Sequence, residues 1–248
     1  MNADEIAAAR RAGALLERAE AVSLEEGYSL AERVASELGE VIGWKVGATS
    51  AGAQVFLRVT EPIYGRVFAG GVARSGDASV IPGGRAAEAE PEIIFELARD
   101  PDPADPAAAI GRAFVGLELV RPSRDDAFAL GAGFIVADNA AHVGLVLGAE
   151  LPLAALDDPA AVRVALTGNG AAAGEGSADA VLGDPRRALA WLAAKRAGSA
   201  GPVRAGDLIA TGAMCRAVPL AIGDTVIADF GAWGRVVMTR EVMPGTGE

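Results

Sequence analysis

Apolar and charged residues follow a helical spacing through the first forty residues. Over residues 4–21, apolar positions recur every three or four residues with arginines and glutamates between them, which predicts an amphipathic helix. Ser29 can cap a second helix over residues 30–38, and Gly39 is a typical residue at which such a helix ends. We therefore expect residues 1–40 to form a helical region that packs on the rest of the chain.

The pattern changes at residue 41 to short apolar runs separated by Gly, Pro and Asp. Helical spacing returns only around residues 106–112 and 185–196, and Asn169–Gly170 is a typical two-residue hairpin turn. Strands joined by short turns favour an antiparallel or mixed sheet that curls into a barrel-like core. We expect an α+β protein in which residues 41–248 form one structural unit. The predicted strands are residues 41–46, 93–97, 114–120, 134–137, 143–147, 162–166, 207–210, 225–230 and 233–239.

Composition narrows the class of partner. The 248 residues include 22 basic and 33 acidic side chains, a net charge of −11, and such a surface repels phosphate backbones and anionic lipids. We therefore expect neither a nucleic-acid partner nor a membrane partner. No apolar run approaches the roughly 18 residues that a transmembrane helix needs, and the first residues lack the layout of a secretory signal. We expect a cytoplasmic protein.

Rare residues narrow the chemistry. The chain has one cysteine, Cys215, and one histidine, His142, which excludes an internal disulfide and a zinc site with several nitrogen or sulfur ligands. A metal site in this chain must use mainly oxygen ligands, which Mg²⁺ and Mn²⁺ prefer.

One acidic motif could supply those oxygens. In a strand, the period of two places Glu88, Glu90 and Glu92 on the same face. Carboxylates at this spacing repel each other unless they are solvated or bridged by a cation. Pro91 fits a solvent-facing edge strand, so the motif is open to two interpretations, a metal site and a solvated edge.

Glu118 and Lys45 each place a charge in an apolar run. Glu118 lies in residues 114–120, and a buried carboxylate there needs a metal, Lys45 or an arginine as its partner. Lys45 lies between two glycines in GWKVG, and burial would lower the pKa of its amine into a range that suits proton transfer. Three carboxylates from two strands would suit Mg²⁺, while a Glu–Arg ion pair and a snorkelling surface lysine remain the structural alternatives.

These residues lie in a series of motifs that follow one another in a familiar order. The chain resembles the 2-keto-4-pentenoate hydratase and 4-oxalocrotonate decarboxylase branch of the fumarylacetoacetate hydrolase superfamily over nearly its whole length. The motifs are GWKVGATS (43–50), EPIYGRVF (61–68), EAEPEIIFEL (88–97), GLELVRPSR (116–124), VADNAAHVGLVLG (136–148), the stretch 167–192, GDLIATGA (206–213) and GDTVIADFG (223–231).

The resemblance implies a twisted β-barrel-like core with the active site at its mouth. It implies that Glu90, Glu92 and Glu118 hold Mg²⁺ or Mn²⁺ and that Lys45 is the active-site lysine. The cation would chelate the 1-carboxylate and 2-oxo oxygens of a small 2-oxo acid. Because family members commonly form homo-oligomers and associate with pathway neighbours, we expect a homo-oligomer and leave a partner enzyme open.

Two positions depart from the family pattern. Hydratases of the family commonly carry an aspartate that serves with the lysine in proton transfer, and Ile63 stands at that position. We take Glu61, two residues away, as the second candidate catalytic residue beside Lys45. Ala141 replaces the serine of the family's DNAS segment, so a hydroxyl expected near the substrate carboxylate is missing.

The candidate substrate-binding residues are polar residues of these motifs and of the segment that follows GDLIATGA. Thr49 and Ser50 close the GWKVGATS motif. Asn139 is either a turn residue or part of the site wall, and His142 is either a packing residue or part of the rim. Arg216 either pairs with an anionic substrate or is solvated.

The sequence therefore predicts a metal-dependent lyase acting on a small 2-oxo or 2-hydroxy-dienoic acid. The leading hypothesis is a hydratase of aromatic-compound degradation. One alternative is a decarboxylase of a related oxo-diacid, for which the loss of the acid at Ile63 is tolerable. A third hypothesis is a catalytically silent subunit that keeps the metal pocket and supports a partner enzyme.

Overall fold

The structure is a computed structural model that describes residues 1–77 and 81–241. Its α-helices are α1 (Ala3–Ala12), α2 (Leu24–Leu38), α3 (Ala51–Leu57), α4 (Ala132–Ala137) and α5 (Pro185–Arg196). Its strands are β1 (Val41–Gly47), β2 (Ile63–Phe68), β3 (Val72–Arg74), β4 (Ala87–Leu97), β5 (Ile110–Val120), β6 (His142–Leu151), β7 (Arg163–Gly168), β8 (Ala171–Ser177), β9 (Leu208–Ala213), β10 (Val218–Leu220), β11 (Thr225–Asp229) and β12 (Arg235–Thr239).

The strands form two sheets around a shared core. The larger sheet has the order β2-β1-β9-β4-β5-β6-β3, and β10 also pairs with β4. Pairs β1–β9 and β3–β6 are parallel, whereas the other pairs of this sheet are antiparallel. The smaller sheet has the order β12-β11-β7-β8. The mixed sheet curls into a half-barrel, which confirms the predicted sheet type.

The main core lies between the two sheets and α5. Its fully buried side chains include Phe95 of β4, Leu117 of β5, Leu189 of α5 and Val226 of β11. Burial of each such side chain contributes about 1.5–3 kcal/mol, so this core holds the two sheets and α5 together. None of the helices in residues 1–77 and 81–241 is long and apolar enough to cross a membrane.

Both N-terminal helices begin at capping boxes, and their bounds differ from the prediction. The first helix ends at Gly13, not at residue 21, because Gly13 adopts a left-handed φ of 62° and any side chain there would clash with the Pro82 carbonyl. The second helix begins after Ser23, whose side chain pairs reciprocally with Glu26, so Ser29 is an interior residue and not the cap. Both helices share a core with α4; the division of the chain at residue 40 stays a prediction.

Two element types were predicted wrongly. Residues 134–137 form part of helix α4, not a strand, and all of them are buried. A helix that is buried on every side is apolar all round and carries no helical period. Residues 106–112 are not a helix, because a short 3₁₀ turn at Pro106–Ala109 leads directly into β5. The remaining strand predictions fall on observed strands with shifts of a few residues.

The motif formed by Glu90, Pro91 and Glu92 lies on a central strand, not on an edge. Pro91 belongs to β4, which pairs with β5 along one side and with β9 and β10 along the other. The β9 pairing starts at Glu92 and the β10 pairing stops at Ala89. Pro91 falls in the gap between them, where a missing N–H costs no ladder bond. The predicted hairpin turn is confirmed, since Asn169 and Gly170 join β7 to β8 with φ values of 51° and 79°.

Candidate metal centre and active site

Three glutamates from β4 and β5 converge on one face of the large sheet. The antiparallel register places Glu90 directly opposite Glu118 and Glu92 opposite Gly116. One carboxylate oxygen from each of the three glutamates lies within 4.8 Å of the other two. Glu92 and Glu118 are fully buried, and Glu90 is partly buried. The structure therefore brings together the three acids named from the sequence, and their role as metal ligands stays a prediction.

Burial and mutual repulsion shift the pKa values of the three glutamates. Burial, followed by the charge of Glu118, raises the pKa of Glu90 to about 7. The same two causes raise the pKa of Glu92 well above its ordinary range, although Glu92 accepts a 2.9 Å hydrogen bond from the Gly212 N–H. Burial also favours a higher pKa for Glu118, but Lys45 and His142 outweigh it and lower that pKa.

The donor set fits a hard divalent cation. Glu92 Oε1 is buried and accepts no hydrogen bond from the described residues, and Glu118 Oε2 has only an ion pair with Lys45. Buried carboxylate oxygens of this kind are costly unless something positive compensates them. Three carboxylates at this spacing are suitable ligands for Mg²⁺ or Mn²⁺ and leave coordination positions for substrate oxygens.

Lys45 is the ammonium of this site. β1 places its Nζ 3.2 Å from Glu118 Oε2 and 3.2 Å from the carbonyl oxygen of Ala140, and the side chain is buried. Burial lowers the pKa of Lys45, but the charges of Glu118, Glu90 and Glu92 outweigh burial and raise it overall. The expectation of a lowered pKa is thus wrong for the metal-free site, because it considered burial without these three neighbours.

Ile63 lies close to the Lys45 amine. Gly47 of β1 pairs with Ile63 of β2, and a Cβ on Gly47 would lie 3.2 Å from Lys45 Nζ and 3.4 Å from Ile63 Cγ1. An apolar side chain therefore borders the amine where the family's hydratases commonly carry an aspartate. The absence of a side chain on Gly47 also leaves room for the amine.

Glu61 is engaged with α5. Its Oε1 lies 2.6 Å from Lys195 Nζ, and its Oε2 accepts a 3.2 Å hydrogen bond from Trp191 Nε1. The Lys195 hydrogen bond is the main cause that lowers the pKa of Glu61. Its contacts are with these two residues and none is with Lys45, so a proton-transfer role for Glu61 requires that this ion pair open.

The segment after α4 brings His142 to the site. His142 is buried, its Nδ1 lies 2.8 Å from Glu118 Oε1, and its Nε2 has no partner among the described residues. Asn139 is used differently: its amide donates to the Arg66 carbonyl at 2.9 Å, and its Oδ1 accepts from the Arg66 N–H at 2.7 Å. The Asn139 side chain thus links the segment to β2.

The other substrate-binding candidates occupy different environments. Thr49 is buried, and its side chain packs so closely on Gly212 that a Cβ on the glycine would clash with it. Since Gly212 bonds Glu92, Thr49 belongs to the surroundings of the carboxylates. Ser50 is exposed and caps α3 through the Ala53 N–H. Arg216 is exposed, in the loop between β9 and β10.

Three groups at the site were not predicted from the sequence. The Ala140 carbonyl and the Gly212 N–H are backbone groups, and almost every residue type carries such groups, so the sequence does not indicate which of them reach the site. Arg10 was placed on a charged helix face, yet it is buried and donates to the Asp138 carboxylate at 2.8 Å and to the His142 carbonyl. Its helical spacing of seven, four and three residues from the buried positions Ala3, Ile6 and Ala7 was the available signal.

Comparisons with known proteins agree with this geometry. A family profile described as "Fumarylacetoacetate (FAA) hydrolase C-terminal" matches residues 62–239. The chain is 32% identical over 204 residues to a 2-keto-4-pentenoate hydratase from Burkholderia vietnamiensis, a match that covers 80% of this chain and 78% of that protein. It is 27% identical over 209 residues to a 4-oxalocrotonate decarboxylase from Pseudomonas sp. (strain CF600), covering 82% of this chain and 78% of that protein.

One solved structure has the same fold over almost the whole chain. It is 4-oxalocrotonate decarboxylase from Pseudomonas putida G7, complexed with magnesium and adipate. The match has a TM-score of 0.84 at 24% sequence identity and covers 97% of this chain and 95% of that one. It confirms the predicted fold, a curled half-barrel sheet with a helical N-terminal region.

Proposed function

This chain belongs to the fumarylacetoacetate hydrolase family, and we propose that it is a divalent-metal-dependent lyase acting on a small 2-oxo or 2-hydroxy-dienoic acid. The observation that carries the proposal is the convergence of Glu90, Glu92 and Glu118 within 4.8 Å, beside the buried ammonium of Lys45. The leading reaction is hydration of a 2-hydroxypenta-2,4-dienoate-like acid, as the name of the Burkholderia relative suggests.

The three glutamates would hold Mg²⁺ or Mn²⁺. When bound, the cation supplies Lewis-acid polarisation of the substrate's carboxylate and 2-oxo oxygens. His142 orients the Glu118 carboxylate through its 2.8 Å contact, and the Gly212 N–H does the same for Glu92. These outer contacts fix the carboxylates in the directions that a cation site needs.

Lys45 is the proposed general acid and base. Its pKa is raised in the metal-free site only because three carboxylates surround it. Once the charge of those carboxylates is neutralised, burial is the main remaining influence, and burial lowers the pKa of an amine toward the range of proton exchange at neutral pH. The Ala140 carbonyl accepts from Nζ and fixes the direction in which the amine points.

A decarboxylase of a related oxo-diacid is the second candidate. Ile63 borders the Lys45 amine and cannot transfer a proton, which removes one group that the hydratase reaction would use. Loss of a vinylogous carboxylate needs fewer proton transfers than hydration does. The relative from Pseudomonas sp. has the name of such an enzyme.

Two assays and a titration test the proposal. Loss of 2-hydroxypenta-2,4-dienoate without release of CO₂ supports the hydratase, and CO₂ release from an oxalocrotonate-type acid supports the decarboxylase. Tight Mg²⁺ or Mn²⁺ binding in calorimetry with turnover of neither acid supports the silent subunit instead.

The metal ligands are tested by a matched pair of variants. We expect Glu118→Gln to lower Mg²⁺ affinity at least about 100-fold, because it removes a charged ligand from a buried site. Glu88→Gln is the control, since Glu88 lies on β4 with Glu90 and Glu92, next to the strand that carries Glu118, but is exposed. Affinity like that of the wild type in Glu118→Gln would refute the ligand assignment.

Further features of the proposal follow from the resemblance. We propose Thr49 and His142 as substrate-facing residues, while Ser50, Asn139 and Arg216 are weaker candidates because of their positions and contacts. A homo-oligomer, a pathway partner and a cytoplasmic location also stay proposals. Light scattering on the purified protein and fractionation of cells test the first and the last of these.

A further inference from the structure

A group of arginines surrounds a small void beside the N-terminal helix. The void has a volume of about 10 Å³ and lies where the end of α1 meets the end of β5. Arg10, Arg85 and Arg121 line it together with Ser123, and its apolar wall is formed by Ala9, Ala14 and Val143. It is separate from the three glutamates, none of which lines it.

Positive charge exceeds negative charge around this void. Arg121 has Arg240, Arg10 and Arg85 as charged neighbours and Asp138 as the opposing acid. Asp125 pairs with Arg85, but its side chain is 82% exposed and screened by water. Burial and the three neighbouring guanidinium groups lower the pKa of Arg121 to about 10. A buried excess of positive charge is costly without a compensating anion.

Arg121 keeps unused donors. Its Nη1 donates to the carbonyl oxygen of Pro82 at 2.7 Å and more weakly to that of Arg85 at 3.4 Å. Its Nε and Nη2 donate to no group in the part of the chain that the structure describes. A guanidinium carries five N–H donors, so Arg121, which lines the void, has donors that the described residues do not use.

Ser123 provides the second observation. Ser123 lines the void, and its side-chain hydroxyl is buried and has no hydrogen-bond partner among the described residues. Its backbone is already fixed, because the Ser123 N–H donates to Asp138 Oδ2 at 2.6 Å. A buried hydroxyl without a partner costs free energy unless a ligand or a water accepts its proton.

We propose that this void is a binding site for a small monovalent anion of halide size, chloride in the first place. The void offers room for about one water-sized group, which excludes sulfate, phosphate and carboxylates. Its donors are guanidinium groups and a hydroxyl, and the surrounding charge favours an anion over a neutral water. The proposal does not rest on the proposed catalytic function.

The position of the site gives the anion a structural task. Arg10 comes from α1, Arg121 and Ser123 come from the segment that directly follows β5, and Arg85 comes from the segment before β4. An anion shared by these groups connects the N-terminal helix to the sheet. Arg10 also holds Asp138 and the His142 carbonyl, so the same contact supports the segment that carries His142.

Diffraction from bromide-soaked crystals of the full chain tests the site directly. We expect an anomalous bromide peak in the void, within contact distance of Arg121 and Ser123. A water molecule in the void, with no anomalous signal at high bromide, would overturn the proposal.

Thermal unfolding gives a second test in solution. We expect Tm to rise with sodium chloride over sodium gluconate at equal ionic strength, since a ligand bound only to the native state stabilises it. Ser123→Ala should reduce this chloride-specific shift at least about twofold. Ser36→Ala should keep it, because Ser36 is exposed on α2. Equal Tm values for the wild type in the two salts would contradict the proposal. If Ser123→Ala does not fold, the wild-type comparison alone tests the proposal.

Discussion

Lys45 is one ammonium among three carboxylates. Its ion pair with Glu118 explains why that acid stays charged in a fully buried position. The single positive charge of Lys45 does not also compensate Glu90 and Glu92. In the metal-free site, burial and the charge of Glu118 therefore raise the pKa values of these two acids. A buried group of this composition has two ways to lose its excess charge, to take up protons or to bind a cation.

Replacing Lys45 separates metal binding from proton transfer. We expect Lys45→Met to retain Mg²⁺ binding, because the three ligands stay and a competing positive charge is removed. Turnover should fall at least about 100-fold, the usual effect of losing a general acid or base. Calorimetry and steady-state kinetics on the substrate that the wild type turns over measure both quantities.

Lys195→Met is the matched control for Lys45→Met. It removes the only other lysine and releases Glu61 from its 2.6 Å ion pair. We expect kcat to change little, since Glu61 has no contact with Lys45. A kcat in Lys45→Met equal to that of the wild type would remove this lysine from the mechanism. A loss in Lys195→Met comparable to that in Lys45→Met would show that the effect is not specific to Lys45, and a marked rise of kcat in Lys195→Met would indicate that the released Glu61 takes part in proton transfer.

At the scale of elements, the segment between α4 and β6 is the least regular part of the site. Asn139, Ala140 and Ala141 are consecutive non-glycine residues in the left-handed region, with φ values of 54°, 50° and 63°. Such residues cost of order 1–3 kcal/mol each and persist only where the surroundings hold them. Here the Asn139 side-chain amide forms hydrogen bonds with the backbone N–H and carbonyl of Arg66, and the Ala141 carbonyl accepts from the Arg121 N–H at 2.7 Å.

We expect Asn139→Ala to destabilise the protein by about 1–3 kcal/mol, because the partly buried backbone N–H and carbonyl of Arg66 lose their partner. Ala140→Gly, one residue away, should cost little or no stability, since glycine adopts the left-handed conformation without strain. Urea denaturation of both variants measures the difference. Equal stabilities would show that the amide contact does not hold the segment.

The elements that could be predicted from sequence are those in which burial produces a recognisable pattern of apolar and polar residues. Apolar runs with Gly and Pro boundaries correctly indicated β1, β4 and β5, and Glu118 stood out because its run was otherwise apolar. α4 has no polar face, so its residues show no helical alternation of apolar and polar positions in the sequence. The Ala140 carbonyl and the Arg10–Asp138 contact join residues far apart in the chain, and no local pattern encodes such contacts.

Across the whole molecule, the site depends on the order of strands in the large sheet. β4 lies between β9 and β5, so it brings its glutamates beside Gly212 on one side and Glu118 on the other. β1 follows β9 and places Lys45 over the same face. Because four elements share this charge cluster, its ionisation affects the stability of the entire fold.

The pH dependence of metal-free stability measures that link. The raised pKa values of Glu90 and Glu92 mean that the native state binds more protons than the unfolded state above pH 4.5. Stability must therefore fall as the pH rises. The lowered pKa of His142 acts in the opposite direction below pH 6.5, so the clearest window runs from there to pH 8.

We expect the free energy of unfolding of metal-free protein to decrease over this window by about 1 kcal/mol per pH unit, the effect of somewhat less than one extra proton in the native state. Glu90→Gln should flatten the slope, because the neutral amide does not titrate. Saturating Mg²⁺ should reverse the loss at pH 8, since the cation competes with protons for the same oxygens. A metal-free stability that rises steadily from pH 6.5 to 8 would show that these carboxylates do not share an uncompensated buried charge.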